Sequence, residues 1–279
     1  MADDRLNQRN WLQTVPELVV ECAEEWDLQL GEPYPPGDAG YAQRVELPDG
    51  TPAVLKLVYP DRESTHEAAA IERLDGDGVV RLLEYDAERW AMLLERCEPG
   101  TPLSAAGGET ALGVLIGLLP RIWKPAGPPF MPLADEAAWW VEYLPGQWAS
   151  AGEPFERRLL DAALDALVTL PATQGEQVLL QQDLHGDNVL ASQREPWLMI
   201  DPKPLVGERE FSVAPIVRSD ELGSTRRDVL YRFDRLTSEL GLDRDRARGW
   251  TIGQTIAWSC YTDHHVPHVE TVRWLLDAR

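Results

Sequence analysis

Apolar positions follow two periods along the chain, and the change from one to the other marks its main division. Over residues 7–26 they fall at Trp11, Leu12, Val15, Leu18, Val19, Cys22 and Trp26. That spacing predicts an amphipathic helix, interrupted near Pro16 and packed against the first lobe. Strand signals come next: residues 28–32, the alternating run 42–47, and the apolar run 53–58 behind the turn Pro48-Asp49-Gly50-Thr51. Ser64 opens a helix whose Glu67, Ala70, Ile71 and Leu74 share one side, and Asp75-Gly76-Asp77-Gly78 stops it. Residues 79–85 and 90–96 complete a five-stranded antiparallel sheet. From Gly107 helical spacing takes over, at 109–119, 135–144, 153–170, 213–217, 228–240 and 244–258. The pattern therefore predicts an α+β chain, an antiparallel β-sheet region over residues 1–96 followed by a mainly helical one over 97–279, and its length is enough for two lobes sharing one cleft.

Composition narrows the classes. A chain of 279 residues with 44% hydrophobic content carries a normal core, which excludes a disordered protein. Cys22, Cys97 and Cys260 are far apart with no C-x-x-C, so neither a disulfide framework nor a zinc cluster is indicated and a reducing, cytoplasmic setting is expected. The start Met1-Ala2-Asp3-Asp4 is acidic and no apolar run approaches the roughly 18 residues of a membrane span, so neither export nor anchoring is expected. A formal net charge of −21 argues against nucleic acid and is compatible with a cationic small-molecule partner, although surface solubility accounts for most of it. Asp220 and Glu221 are candidate steering carboxylates, each expected to be solvated. His264, His265 and His268 carry no metal reading, because Pro267 is expected to break the helix that would align them.

The chemistry concentrates in Leu180-Gln181-Gln182-Asp183-Leu184-His185-Gly186-Asp187-Asn188-Val189-Leu190 and in Trp197-Leu198-Met199-Ile200-Asp201. An acid, an amide and a second acid follow in fixed order, each at the end of an apolar run. Residues 189–192 and 197–200 read as two short strands joined by Gln193-Arg194-Glu195-Pro196, so Asn188 entering the hairpin and Asp201 leaving it are expected to face one metal. Phosphoryl transfer needs a carboxylate to orient the attacking hydroxyl and oxygen ligands for Mg²⁺; Asp183 suits the first role, Asn188 and Asp201 the second. Lys56 lies inside an apolar strand, where an ammonium is costly unless it reaches an anion. The Gly/Pro-rich stretch containing Gly37 and Gly40 is a turn whose backbone could approach phosphate oxygens or simply join two strands.

The order D-x-x-x-x-N, hairpin, D resembles the catalytic and metal-binding segments of the protein-kinase-like fold. D-L-H-x-x-N with I-D-P-K is similar to the aminoglycoside phosphotransferases, and most of all to the branch holding streptomycin 6-kinases and hydroxyurea phosphotransferases. Members of that branch read L-H-G-D-L-H-x-x-N-V-L, W-x-x-I-D-P-K and then V-G, and Val206-Gly207 keeps the last spacing. The resemblance covers roughly residue 37 to the C-terminus. It implies Mg-ATP as cofactor, with Lys56 on the phosphates, Glu67 as its ion-pair partner ahead of Glu72, and the backbones of Glu95 and Cys97 on adenine. Asp183 is then the catalytic carboxylate that orients the attacking hydroxyl and accepts its proton, with Asn188 and Asp201 on the metal. Transfer of the γ-phosphate to a hydroxyl of a small cationic molecule such as streptomycin is the expected reaction, with hydroxyurea or another metabolite as the alternative acceptor. A non-catalytic nucleotide-binding regulator is the rival class, and the lack of an A-P-E segment after Asp201 disfavours a protein kinase. The chain departs from the branch at Gln181-Gln182, where His-Gly is usual, and at Ser212, where an Asp is usual; all three are expected to brace the catalytic loop. No residue is assigned to the acceptor, although Trp123, Trp139, Trp140, Tyr143 and Trp148 could line its pocket or pack the core.

Overall fold

In the strand Pro52–Val58 the side chains alternate as a pleat dictates, with Ala53, Leu55 and Leu57 fully buried on one face and Lys56 on the other. The structure, a computed structural model, describes residues 2–35, 40–259 and 265–278. In chain order it runs α1 (Ala2–Glu25), β1 (Gln29–Pro33), β2 (Gly40–Glu46), β3 (Pro52–Val58), α2 (Glu67–Leu74), β4 (Leu82–Asp86) and β5 (Ala91–Glu95). Then come α3 (Gly108–Ile122), α4 (Leu133–Ser150), α5 (Arg157–Thr169), β6 (Val178–Gln181), β7 (Val189–Ala191), β8 (Trp197–Met199) and β9 (Pro204–Gly207). The chain finishes with α6 (Ala214–Arg218), α7 (Arg226–Glu239), α8 (Arg244–Ser259) and α9 (His265–Asp277). Two compact units result, residues 1–100 with 191–201, and residues 101–190 with 202–279.

The first unit holds the antiparallel sheet β1-β2-β3-β5-β4. One face is covered by α1, whose Val15, Val19 and Cys22 pack with Val45, Leu55, Leu57 and Leu93. α1 passes through Pro16 without the expected interruption, because Pro16 lies on the exposed side, where water can satisfy the carbonyl it leaves unpaired. Residues 191–201, expected with the second lobe, group with the first unit. Arg194 explains the grouping: it bonds Glu95 (2.8 Å) and the carbonyls of Gly76 (2.8 Å) and Val79 (2.8 Å), while the Met199 N–H donates to the Gly78 carbonyl (2.8 Å).

The second unit is mainly helical. α8 packs on α5 at Gly249 and Gly253, where an added Cβ would lie within 2.9 and 2.8 Å of Leu170 and Leu167, so bare backbone allows the close approach. Phe211 joins Trp140 (centroids 6.3 Å) and Trp250 (5.7 Å) in the core. Buried Glu208 ties this centre together by accepting from Arg246 (2.6 Å), the Trp250 indole and the Gly175 N–H (3.2 Å). The helices outrun the sequence expectation: α3 continues through Pro120, and Pro267 falls in the first turn of α9, where a proline is tolerated, rather than breaking a helix. Trp140 and Trp148 are buried and pack in the core. His268 is buried in α9, and Cys260 and His264 lie outside the described residues.

Candidate active site

In the first unit, Lys56 Nζ donates to Glu67 Oε1 (2.5 Å) and to Asp201 Oδ1 (2.6 Å). β3 aims the lysine off the α1 face, and the first turn of α2 supplies Glu67, which is 2% exposed. Burial disfavours the charged ammonium, but Glu67 and Asp201 outweigh it and raise the Lys56 pKa above its ordinary value. Glu72 is exposed, so Glu67 is the partner. Asp201 sits at φ 52°, in the left-handed region that aspartate tolerates better than most residues. Nothing in the local sequence signals its direct bond to Lys56.

The other residues expected to meet the nucleotide divide. Gly40 pairs with Val58 across β2 and β3, and a Cβ there would come within 2.9 Å of the Leu57 carbonyl oxygen; glycine is needed for strand pairing. Gly37 lies outside the described residues. The Glu95 N–H donates to the Arg81 carbonyl (2.9 Å) and its carboxylate takes Arg194, so its side chain has a structural task that the sequence did not reveal. Cys97 is buried, and burial, helped by the nearby Glu95 charge, pushes its thiol up to about 11.

In the second unit, Asp183 follows β6 with both carboxylate oxygens engaged. Arg218 donates to Oδ1 (3.0 Å) and Lys203 to Oδ2 (3.3 Å), with His185 Nε2 3.9 Å from Oδ2. Burial raises the Asp183 pKa, yet Lys203, Arg218 and His185 together outweigh it and hold the group below the ordinary carboxylate value. Gln181 braces this segment with one oxygen, which accepts from the Asp183 N–H (3.2 Å) and the Lys203 N–H (2.7 Å). Gln182 contributes through its backbone, its N–H donating to the Lys203 carbonyl (3.1 Å) and its own carbonyl accepting from Gln254 Nε2 (2.7 Å). Ser212 does not join them; its hydroxyl accepts from the Trp123 indole (2.9 Å). Asn188 Nδ2 donates to the Asp183 carbonyl (2.9 Å), which turns its amide oxygen to the other side.

Glu221 is also placed differently from the expected surface charge. Its side chain is 14% exposed, lies 3.5 Å from His185 Nδ1 and accepts from the Gly186 N–H. Burial raises its pKa but these bonds lower it more; burial likewise disfavours His185 as a cation, and Glu221 and Asp183 reverse that and raise its pKa. Sequence reasoning missed the roles of His185, Lys203, Arg218 and Glu221. A signal existed for Arg218, which ends the apolar run 213–217 and needs an anion for the same reason as Lys56.

A buried, ionised and doubly held carboxylate can orient a hydroxyl, and a buried lysine between two acids can meet phosphate. The fold defines the class: it is protein-kinase-like. The chain aligns with a choline kinase from Streptococcus pneumoniae at a TM-score of 0.66, covering 94% of this chain and 99% of that one at 14% identity. It aligns with an aminoglycoside phosphotransferase, in ternary complex with ADP and hygromycin B, at 0.64, covering 92% and 95% at 14% identity.

Residues 31–264 match the family model described as aminoglycoside/hydroxyurea antibiotic resistance kinase, and the chain belongs to that family. It is 40% identical over 255 residues to a streptomycin 6-kinase of Streptomyces griseus, covering 89% of this chain and 83% of that one. A hydroxyurea phosphotransferase of Kitasatospora aureofaciens is 40% identical over 255 residues, covering 89% and 73%. The protein is a small-molecule kinase. Among the described residues no helix is long and apolar enough to cross a membrane.

Proposed function

We propose that the protein transfers the γ-phosphoryl group of ATP to a hydroxyl of a streptomycin-like aminoglycoside. The observation that carries this reading is the Asp183 carboxylate, buried yet held ionised by Lys203 and Arg218, in a chain 40% identical to a streptomycin 6-kinase over 89% of its length. In phosphoryl transfer, positioning and charge neutralisation do most of the work. Asp183 accepts a hydrogen bond from the acceptor hydroxyl and aims its oxygen at the phosphorus. Because two cations stabilise its charge, Asp183 is a weak base, and the proton passes to it late.

In this reading residues 1–96 form the nucleotide lobe and 97–279, apart from the segment 191–201 that groups with the first unit, the lobe that carries the catalytic loop and acceptor. Lys56, steadied by Glu67, places its ammonium on the phosphates, and the backbones of Glu95 and Cys97, with Gly37 and Gly40, contact the nucleotide. Asn188 and Asp201 would hold Mg²⁺: an amide oxygen and a carboxylate are hard donors of the kind that ion takes, and Asn188 keeps its oxygen for it by spending Nδ2 on the Asp183 carbonyl. Bound there, Mg²⁺ supplies neutralisation of phosphate charge. Hydroxyurea is the second reading, favoured by the equal 40% identity to a hydroxyurea phosphotransferase.

Incubation with ATP and Mg²⁺ across aminoglycosides, hydroxyurea, sugars and amino alcohols, read by mass spectrometry, tests the assignment. A single added phosphoryl group on streptomycin is expected. Phosphorylation of hydroxyurea alone, or of none of these compounds, overturns it.

A further inference from the structure

Two cations meet at Asp183, and one ring lies under both. The Arg218 guanidinium carbon is 4.0 Å from the Trp258 ring centroid and Lys203 Nζ is 5.6 Å from it. The same two groups hold the two oxygens of Asp183, with Arg218 6% and Lys203 15% exposed. We propose that Trp258, in the last turn of α8, is a positioning residue for phosphoryl transfer, acting through Lys203 and Arg218 on the Asp183 carboxylate. The inference rests on the kinase reading of Asp183.

Like charges facing one carboxylate repel each other, and lysine and arginine each have many rotamers to lose. A π face attracts both cations and stacks the planar guanidinium, which restricts them to one arrangement. The Asp183 N–H donates to Gln181 and its carbonyl accepts from Asn188, which ties the backbone but leaves the carboxylate rotation unset; the cations set that rotation. Gln254 lies one turn before Trp258, on the same side of α8, and donates to the carbonyl preceding Asp183 (2.7 Å). One helix face thus holds the backbone of the catalytic segment and, through two cations, its side chain.

The test uses the full chain with Trp258→Leu, Trp258→Phe, Lys203→Met and the Trp258→Leu/Lys203→Met double variant. Turnover is measured with streptomycin and with water as acceptor, and ATP affinity by calorimetry. Trp258→Leu should lower kcat by about 10²-fold, the scale of a misplaced reacting group, with ATP affinity unchanged, and Trp258→Phe should restore most of the rate. The double variant should lose little more than Lys203→Met alone. Additive losses, or kcat and ATP affinity falling together, overturn the proposal. If Trp258→Leu does not fold, the cycle is run with Trp258→Met, which keeps bulk but removes the π face. If neither acceptor is phosphorylated, the functional reading fails, and thermal unfolding still decides the clamp. Asp183→Asn leaves Lys203 and Arg218 opposed on one ring, so it should lower Tm more in the wild type than in Lys203→Met; equal drops refute it.

Discussion

Replacing Arg194 by methionine separates the hairpin segment from the sheet it is bonded to. Arg194 makes a two-pronged pair with Glu95 (2.8 and 2.9 Å) and reaches two backbone carbonyls, with side chains only 22% and 18% exposed. Breaking a fully buried pair costs about 3–5 kcal/mol; discounted for the partial exposure here, with the lost charged hydrogen bonds included, the expected cost is about 2–4 kcal/mol. At about 2 °C per kcal/mol for a chain of this size, Tm falls by about 4–8 °C. Burial raises the Glu95 pKa, but the Arg194 bonds and the Arg81 N–H outweigh it, so its folded value lies below the ordinary 4.5. A depressed carboxylate contributes stability above its unfolded pKa and loses it as pH falls through the folded one. The Tm gap between wild type and Arg194→Met, followed by calorimetry, should therefore be full at neutral pH and shrink below about pH 4.5. A gap under about 1 °C at pH 7, or one that widens on acidification, refutes this account of the segment.

Asp201→Ala should abolish the Mg²⁺-dependent tightening of ATP binding in a calorimetric titration, and unchanged Mg²⁺ dependence would remove Asp201 from the metal. Cys22 and Cys97 have thiols raised to about 11, chiefly by burial; at pH 8 about one in a thousand is ionised, so iodoacetamide should leave both unlabelled in the folded protein by peptide mapping. With a net charge of −21, kcat/KM for a polycationic acceptor should fall as salt rises from roughly 0.02 to 0.5 M while kcat changes little. Equal, flat profiles for cationic and neutral acceptors would leave the charge as a solubility feature.

The sheet and the paired lysine were legible because each reports on local physics. Alternation over β3 sets which face Lys56 takes, and an ammonium in an apolar strand demands an anion, which Glu67 supplies. The order of Asp183, Asn188 and Asp201 was equally visible as a motif. What stayed hidden depends on elements far apart in sequence. Gln254 on α8 reaches the Gln182 carbonyl, and Trp258 the cations around Asp183, only because α8 packs on the core around Phe211, which no period reveals. Glu221 looked like a surface charge because a carboxylate in a polar stretch ordinarily is one; its His185 partner comes from another loop. The prolines misled for a single reason. At Pro16 and Pro120 the helix continues, and Pro267 sits in the first turn of α9, because the cost of a proline depends on whether water or the helix start absorbs the lost bond.

The most direct measurement compares wild type with Asp183→Asn for both ATP binding and phosphoryl transfer to streptomycin, with folding checked by thermal unfolding. If Asp183 orients the acceptor hydroxyl, turnover should fall by about 10²–10⁴-fold while ATP affinity stays at the wild-type value. Turnover that survives the substitution, or ATP binding that is lost in step with it, contradicts the assignment of Asp183 as the residue that orients the acceptor hydroxyl and takes its proton.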